Sequence, residues 1–276
     1  MINFLHTFEP SPIALSIGTF AIHWYGLFLL IGIVIGYWLV GKLASRVELS
    51  KDVVTSLYVN VLIGGLIGAR IYHVLTDWGF YGNNLNQILS VWNGGLAIHG
   101  AMIGGIFTAV YFVRKNNLDF WKLADLFVIP AILGQSIGRW GNYFNQELFG
   151  RSTDSSIGIP ISAINRPAGY QEFEFFHPTF LYESLINFVI FGILLFIFKK
   201  QTNPRQVRLG RNRPIGLVFW LYVGLYSAGR IAVESFRINQ AAMIGDIRLP
   251  LLVSIVLAII GVAMVLKTLA FKHKPE

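Results

Sequence analysis

A long uncharged segment near the start of the chain constrains its fold most strongly. From Ser11 to Gly41 there is no Asp, Glu, Lys or Arg, and the run from Phe20 to Val40 is long enough to cross a bilayer as a helix. Only 13% of the 276 residues are charged, whereas a soluble globule carries about twice that share. The sequence therefore predicts an integral membrane protein and excludes an ordinary soluble enzyme, a disordered chain and a nucleic-acid-binding domain.

Further apolar stretches follow the first one. They lie at about 53–75, 95–113, 123–142, 178–198, 214–234 and 249–267. Because a bilayer offers the backbone no water to bond with, spans of this length must be helices. The spacing of Gly64 and Gly68 predicts a close helix–helix contact. We expect an all-α protein with seven transmembrane helices, the first of them permanent, since no Lys or Arg of a signal peptide precedes residue 42.

The distribution of Lys and Arg between the loops predicts the orientation of the spans. Fifteen of the 22 lie in alternate segments, namely the loops 42–52, 114–122 and 199–213 and the tail from residue 267. The other loops hold only four, Arg151, Arg166, Arg237 and Arg248. Positive residues remain preferentially on the cytoplasmic side. We therefore expect the N-terminus outside and the C-terminus in the cytoplasm.

The loops suggest one multi-pass domain over residues 1–276, because no linker divides the chain. The loop 143–176 is the longest, lies outside in this orientation, and is polar enough to form a small external subdomain between spans 4 and 5. The stretch 203–213 is most simply a solvated cytoplasmic loop.

Polar residues inside the predicted spans are concentrated at one side of the membrane. An ionisable side chain there costs about 2.5–3.5 kcal/mol on insertion scales, so each one needs a reason. In the predicted orientation the outer half contains His23, Tyr25, Arg70, His73, His99, Arg139, Asn142, His177, Tyr182, Glu183, Tyr226, Arg230 and Glu234. Only Asp125 lies near the inner side. This pattern predicts a polar cavity open to the outer leaflet; snorkelling and interhelical ion pairs are the alternative.

Three arginines lie inside the predicted spans, Arg70, Arg139 and Arg230. A guanidinium stays protonated, and its planar fork suits phosphate or carboxylate oxygens. Arg139 has no acidic residue within one helical turn, which makes it a candidate for binding an anion such as a lipid headgroup. Arg230 shares a helix face with Tyr226 and Glu234, so a neutralising pair with Glu234 remains an equal alternative.

His99 is a candidate general base, because neighbouring glycines would admit a ligand and imidazole titrates near neutral pH. A satisfied core histidine is the alternative. The glycines and the arginine of residues 138–142 would allow close backbone approach to a phosphate, although their spacing fits no nucleotide-binding motif. The chain contains no Cys, which excludes a thiolate metal ligand or a cysteine nucleophile of its own. We expect neither a metal nor a cofactor.

Several ordered blocks resemble the bacterial prolipoprotein diacylglyceryl transferases along nearly the whole chain. The most specific block, 138–151, reads Gly-Arg-Trp-Gly-Asn-Tyr-Phe-Asn-Gln-Glu-Leu-Phe-Gly-Arg. The others are His23–Gly26, Gly68–Arg70, Trp92–Gly100, His177–Glu183 and Tyr226–Arg237. Two positions depart from the family pattern, since Ala101 and Gln146 stand where it has glycine. Neither departure removes a group that would take part in chemistry.

The resemblance implies a reaction and its location. The family moves the diacylglyceryl group of phosphatidylglycerol onto the lipobox cysteine of a preprolipoprotein signal peptide, which forms a thioether and releases glycerol phosphate. This first step of lipoprotein maturation takes place at the outer face of the bacterial cytoplasmic membrane. The partners implied are phosphatidylglycerol, the signal peptide and membrane lipids, with no nucleic acid. The absence of Cys agrees with this reaction, because the nucleophilic sulfur belongs to the substrate.

The resemblance also implies roles for individual residues. Arg139 would bind the lipid phosphate, Arg230 would stabilise the leaving group, and His99 would act as a base or an orienting group. The remaining candidates for substrate binding are Asn142 and Glu147 at the headgroup, Tyr25 and Tyr226 lining the site, and Arg70 and Glu234.

Two other classes of function are compatible with the composition. A transporter or lipid-binding protein would hold an anion with the same arginines. Transporters often show internal repeats and helices broken at the midplane, and no convincing repeat is evident in the sequence. A structural membrane scaffold predicts that single arginine substitutions affect assembly only.

Overall fold

Long helices dominate the computed structural model, which describes residues 2–18, 20–47, 49–203, 214–239 and 241–271. In these ranges the helices are α1 (Ile2–Thr7), α2 (Trp24–Ala44), α3 (Lys51–Thr76), α4 (Trp78–Tyr81), α5 (Ile98–Lys115), α6 (Phe120–Phe144), α7 (Thr179–Gln201), α8 (Leu217–Glu234) and α9 (Leu249–Phe271). Short 3-10 turns lie at Ser45–Val47, Leu85–Gln87, Val91–Asn93 and Ala163–Asn165. Apart from Asn203, the predicted cytoplasmic loop 203–213 lies outside the described residues, as does the end of the tail.

Among the described residues, six helices are long and apolar enough to cross a membrane, namely α2, α3, α6, α7, α8 and α9. The third predicted span, 95–113, corresponds to α5, which has 18 residues and is not one of the six. The prediction of a helical membrane protein is therefore confirmed. The seventh span and the orientation stay predictions.

Short antiparallel hairpins lie between the helices, which the apolar pattern did not predict. The strands are β1 (Ile13–Ile17), β2 (Phe20–His23), β3 (Ile159–Pro160), β4 (Phe175–Phe176), β5 (Met243–Ile244) and β6 (Ile247–Arg248), paired in that order. β2 occupies the start of the first predicted span, so the helix begins at Trp24 rather than at Phe20. Gly18, with a φ of +60°, follows β1 where the hairpin turns back. A short apolar run alone does not distinguish a strand from a helix.

The chain divides into two compact units, residues 40–123 and residues 1–39 with 124–276. In the first unit, α3 and α5 cross at glycines. A Cβ atom on Gly68 would strike the carbonyl oxygen of Gly100 and lie 2.9 Å from the Cα of Gly104. A Cβ on Gly64 would lie 2.9 Å from the Cβ of Thr108. The backbones therefore touch, which confirms the close contact predicted from Gly64 and Gly68.

The second unit joins its helices through small residues as well. Ser136 on α6 donates to the main-chain carbonyl of Ser184 on α7 at 2.7 Å, and Ser184 donates to the carbonyl of Ser136 at 2.9 Å. Both serines are buried. α8 and α9 meet at Gly224 and Gly261, where a Cβ on Gly261 would lie 2.7 Å from the Cα of Gly224. These contacts fix α6 against α7 and α8 against α9.

Asp125 is the one polar residue predicted near the inner side. It lies on α6, and its side chain caps the N-terminus of α8. Its two carboxylate oxygens accept hydrogen bonds from the backbone N–H groups of Gly216 and Phe219, each at 2.8 Å. The first N–H groups of a helix have no partner within the helix, and a carboxylate also suits the positive end of the helix dipole. The fully buried Asp125 therefore has a structural role.

Residues 143–176 form a small core together with the N-terminal helix α1 and the start of α7. Its buried members are Leu5, Tyr143, Phe149, Ile159, Ile161, Phe176 and Phe180. The ring of His6 stacks on Phe175 at 4.2 Å, and its Nδ1 lies 2.8 Å from the carbonyl oxygen of Gly158. The N-terminal segment is thus fastened to this loop region. The location of 143–176 outside the membrane, and a single domain over 1–276, stay predictions.

Candidate active site

A single buried carboxylate, Glu183 in the first turns of α7, gathers three arginines. Its Oε2 lies 2.5 Å from Nε of Arg139 on α6. Its Oε1 lies 2.5 Å from Nη2 of Arg237, which follows α8, and also pairs with Nη1 of Arg230 on α8. The Glu183 side chain is only 4% exposed. This carboxylate therefore fixes the ends of three chain segments relative to one another.

Glu234, the last residue of α8, is the second carboxylate of the group. Its Oε2 accepts a hydrogen bond from Nη2 of Arg230 at 2.8 Å, one helical turn away. Its Oε1 lies 3.1 Å from Nε of Arg248 at the end of β6. Arg230 thus bridges both carboxylates, and the neutralising pair between Arg230 and Glu234 is part of a larger network.

We refer to Arg139, Arg230, Arg237, Arg248, Glu183 and Glu234 as the arginine cluster. Four guanidinium groups face two carboxylates, which leaves a formal charge of +2. The side chains of Arg139 and Arg230 remain 19% and 15% exposed, so both are partly accessible. A largely buried excess of positive charge is costly unless an anion neutralises it. The arginine cluster is therefore suited to a phosphate or another anion.

Arg237 is the most deeply buried arginine of the cluster, with a side chain 7% exposed. Burial lowers the pKa of its guanidinium from the ordinary value; Glu183 opposes this effect, whereas Arg230 and Arg139 lower the pKa further. An arginine keeps its proton at neutral pH even so. Arg237 consequently contributes a permanent positive charge.

Arg139 also connects the cluster to an amide and a further carboxylate. Its Nη1 donates to Oδ1 of Asn142 at 3.3 Å. Nδ2 of Asn142 donates to Oε1 of Glu147 at 2.8 Å, and Nδ2 of Asn145 donates to the same oxygen at 3.3 Å. Glu147 is exposed, whereas Asn142 is buried. The predicted headgroup residues thus lie in one hydrogen-bonded chain that starts at Arg139.

The backbone at the end of α6 explains why Glu147 turns back toward Asn142. The N–H of Gln146 donates to the carbonyl of Tyr143 and the N–H of Glu147 to the carbonyl of Asn142, both at 3.0 Å. Gln146 has a φ of +51°, the left-handed conformation usual at this position of a Schellman cap. Glycine adopts this conformation most easily, which accounts physically for the glycine of the family pattern.

The side chain of Gln146 is used in this chain where a glycine would have none. Its Nε2 donates to the carbonyl of Pro10 at 2.7 Å, and its Oε1 accepts from the N–H of Ser162 at 2.7 Å. Gln146 is buried. Its amide therefore joins the N-terminal segment and the 143–176 loop to the end of α6.

The two predicted tyrosines lie on the helices that bear the cluster or beside them. The ring of Tyr25, in the first turn of α2, packs against Gly141, where an added Cβ would lie 2.5 Å from its Cδ2. Tyr226 stacks on Tyr222 with 5.6 Å between the ring centroids and lies one turn before Arg230 on α8. Gly141 thus permits α2 to approach the part of α6 that bears Arg139.

Arg70 belongs to the unit 40–123 and is occupied by main-chain carbonyls. Its Nε donates to Ile88 at 2.6 Å, its Nη1 to Gly94 and Gly95 at 2.9 Å, and its Nη2 to Gln87 at 2.5 Å. The residue is buried. Arg70 therefore holds the loop that leads into α5.

His99 also belongs to the unit 40–123, in the first turn of α5. It is exposed, and its ring centroid lies 5.9 Å from that of Tyr72. The structure brings the predicted residues of the other unit together through hydrogen bonds and ion pairs, namely Arg139, Asn142, Glu147, Arg230 and Glu234. A catalytic role for His99 and a substrate-binding role for Arg70 stay predictions.

Three members of the cluster were not among the predicted site residues: Glu183, Arg237 and Arg248. Glu183 carried a usable signal, because it is the only acidic residue in the predicted span 178–198. Arg237 ended one of the blocks that resemble the family but was otherwise, like Arg248, marked only as a loop charge. Their partners became evident only from the folded chain.

Comparison with known proteins identifies the relatives of this chain. The sequence pattern of the family described as prolipoprotein diacylglyceryl transferase matches residues 12–267. A protein of Trichormus variabilis is 39% identical over 260 residues, which cover 94% of this chain and 90% of the relative. A protein of a Nostoc species is 39% identical over 270 residues, 98% of this chain and 92% of the relative.

A third relative provides a similar match at somewhat lower identity. A protein of Bacillus licheniformis is 35% identical over 264 residues, which cover 94% of this chain and 93% of the relative. All three relatives bear the name phosphatidylglycerol–prolipoprotein diacylglyceryl transferase. The similarity therefore extends over nearly the full length of both partners.

Replacing the central carboxylate tests its structural importance. We expect Glu183→Gln to lower the free energy of unfolding by about 3–5 kcal/mol, because one buried and two partly buried guanidinium groups lose their shared negative charge. The measurement is thermal unfolding of the purified protein in detergent. Glu172→Gln serves as the matched control, since Glu172 is exposed. An unchanged unfolding midpoint for Glu183→Gln would show that Glu183 does not hold the cluster together.

Proposed function

Because this chain belongs to the prolipoprotein diacylglyceryl transferase family, we infer that it is an enzyme that transfers the diacylglyceryl group of phosphatidylglycerol to prolipoproteins. The family pattern covers residues 12–267, and the named relatives match more than nine-tenths of the chain. Family membership also favours the enzyme over the transporter and scaffold alternatives. The apolar helices agree with a membrane-bound enzyme acting on a lipid.

The chemical step is a displacement at a glyceryl carbon. The thiol sulfur of the lipobox cysteine forms a bond to that carbon while the bond from the carbon to a phosphate oxygen breaks. The electron pair of the broken bond stays on the phosphate, and the thiol proton passes to a base or to water. The lipid phosphodiester carries one negative charge, whereas the phosphate group of the released glycerol phosphate carries two. Transfer therefore creates negative charge on the leaving group.

The +2 charge of the arginine cluster is the observation that carries this proposal. Catalysis requires interactions that are stronger in the transition state than in the ground state. Guanidinium groups held in place by Glu183 and Glu234 need no reorganisation when the leaving phosphate gains charge. Their low exposure limits competing water, which strengthens the electrostatic attraction.

The contacts of each side chain support an individual role in this proposal. Arg139 binds the phosphate of the lipid, and Arg230 stabilises the leaving group, with Glu234 orienting its guanidinium. Asn142 and Glu147 bind the glycerol headgroup, because an amide and a carboxylate offer donors and acceptors for hydroxyl groups. The hydrogen-bonded chain from Arg139 to Glu147 supports this assignment.

The tyrosines and Arg70 have supporting roles in this proposal. Tyr25 and Tyr226 line the site, Tyr25 through its contact with Gly141 and Tyr226 through its place one turn before Arg230. Arg70 acts on the substrate through the loop whose carbonyls it binds.

His99 is the proposed base or orienting group for the thiol. A cysteine thiol is mostly protonated at neutral pH, so a base or a positive field must favour the thiolate. The exposed ring of His99 at the start of α5 is open to a substrate. No cofactor takes part in this scheme.

The proposed topology has seven spans, with α5 as the third, the N-terminus outside and the C-terminus in the cytoplasm. The site then faces the outer leaflet of the bacterial cytoplasmic membrane, and 143–176 forms a subdomain outside it. The unequal distribution of Lys and Arg between alternate loops supports this orientation.

A transfer assay with purified protein in detergent tests the function. With phosphatidylglycerol and a synthetic lipobox peptide, we expect a mass gain of one diacylglyceryl group on the peptide and none on a peptide with serine in place of cysteine. Arg139→Ala should abolish transfer, because the phosphate loses its main ligand. Removal of a single charge-stabilising donor typically costs about 10²–10³-fold in rate.

Arg151→Ala is the matched control for Arg139→Ala, since Arg151 is exposed and outside the cluster. Thermal unfolding of both variants shows whether they are folded. Lipid binding without any peptide adduct, in folded wild-type protein, would contradict the proposed function. Normal transfer by Arg139→Ala would contradict only the role of Arg139.

A second assay isolates the role of His99. If His99 is the base, His99→Gln should lower kcat by about 10²–10⁴-fold, the usual contribution of general base catalysis, and leave KM for phosphatidylglycerol nearly unchanged. The steady-state rate over a range of lipid concentrations gives both constants. A kcat equal to that of the wild type would remove His99 from the chemical step.

Single cysteines test the topology, because the chain has none of its own. A membrane-impermeant maleimide added to intact bacterial cells should label Asn86→Cys and Ser156→Cys but not Asn116→Cys. Asn86 and Asn116 are exposed and flank α5, so their difference reports whether α5 crosses the membrane. All three should react after permeabilisation. Labelling of Asn116→Cys in intact cells would contradict the orientation.

A further inference from the structure

Arg248 is fixed by contacts of two kinds. It ends the strand β6, and its side chain is 21% exposed. Its Nη1 donates to the carbonyl of Arg237 at 2.5 Å and its Nη2 to the carbonyl of Asn239 at 2.8 Å. Its Nε lies 3.1 Å from Oε1 of Glu234. The guanidinium thus binds two main-chain carbonyls of the segment that follows α8, and it also contacts the carboxylate of Glu234 in the arginine cluster.

The position of Arg248 determines how Glu234 can meet Arg230. A carboxylate with one arginine partner commonly accepts two parallel hydrogen bonds from it. Here Arg248 faces Oε1 of Glu234, while Nη2 of Arg230 reaches Oε2 at 2.8 Å. Glu234 therefore offers one oxygen to each arginine, and Arg230 keeps its Nη1 on Glu183.

The charge of the cluster depends on Arg248 as well. Without it, three guanidinium groups would face two carboxylates, and the formal charge would fall from +2 to +1. Glu234 would then neutralise Arg230 alone. Less positive charge would remain for an anion beside Arg230.

We propose that Arg248 is a positioning residue for the transfer reaction. Arg248 occupies one carboxylate oxygen of Glu234 and leaves the other to Arg230. Glu234 therefore orients the guanidinium of Arg230 but neutralises only part of its charge, at the place where negative charge appears on the leaving phosphate. This inference rests on the proposed function, and it assigns Arg248 no contact with the substrate. Its effect passes through Glu234 to Arg230.

The proposal predicts which kinetic constant changes. The additional phosphate charge develops only during bond breaking, so a weaker field at Arg230 affects the transition state more than the bound lipid. Arg248→Gln should therefore lower kcat with little change in KM for phosphatidylglycerol. We expect a loss of about tenfold, less than the roughly 10²–10³-fold loss typical of removing a direct charge-stabilising donor.

Two further variants separate charge from backbone binding. Arg248→Lys keeps the positive charge near Glu234 but loses the planar fork that binds the two carbonyls, and it should restore most of the kcat lost in Arg248→Gln. Arg166→Gln is the matched control, because the guanidinium of Arg166 also binds two main-chain carbonyls, those of Ile161 and Gln171. Its kcat should equal that of the wild type.

A double-mutant cycle tests whether Arg248 acts through Glu234. Transfer is measured for the wild type, Arg248→Gln, Glu234→Gln and the double variant, with thermal unfolding of each as a check on folding. If the effect passes through Glu234, the double variant should be no slower than Glu234→Gln alone, because coupled residues give non-additive losses. Additive losses would overturn the proposal, as would an unchanged kcat in Arg248→Gln.

The outcomes also distinguish this inference from the proposed function. A folded wild-type protein that makes no peptide adduct contradicts the function itself. An active wild type in which Arg248→Lys is as slow as Arg248→Gln contradicts only the inference, and it assigns Arg248 to holding the backbone of residues 237–239. An active wild type with rescue by lysine and non-additive losses supports both.

Discussion

The ion pairs on Glu183 are the interaction on which the site depends. Because charges in weakly polar surroundings must be neutralised, one carboxylate on α7 determines where the guanidinium groups of Arg139, Arg230 and Arg237 lie. The hydrogen bonds between Ser136 and Ser184 support the same arrangement. Ser184 follows Glu183 directly, and Ser136 lies one turn before Arg139, so these bonds set the register in which Arg139 reaches the carboxylate.

In the proposed function, incomplete neutralisation gives this arrangement its chemical use. A network with equal numbers of arginines and carboxylates would be a structural ion pair and would not attract a ligand. Here Glu183 and Glu234 orient four arginines while neutralising only half of their charge. Glu183 and Glu234 hold this excess in place in advance, which is the property that the proposed reaction requires for a leaving phosphate that gains charge.

The periphery of the site is held by main-chain groups. The left-handed conformation at Gln146 closes α6 and returns Glu147 to Asn142, while the Gln146 amide joins the N-terminal segment and the 143–176 loop to this helix end. In the unit 40–123, Arg70 donates hydrogen bonds to four main-chain carbonyls and so holds the loop that leads to His99. In both units, buried polar side chains stabilise loops that carry predicted site residues.

The sequence by itself predicted the long apolar helices, six of which are long and apolar enough to cross a membrane, and the contact between Gly64 and the α5 helix. A bilayer demands long apolar helices and small residues where they touch. The sequence also identified Arg139 and Arg230, since a charge inside a span is costly and therefore conspicuous. Only the tertiary structure decided that Glu183 joins them. Glu183 lies 47 positions from Arg230 and 54 from Arg237 along the chain, and no local pattern predicts which charges the packing of α6, α7 and α8 brings together.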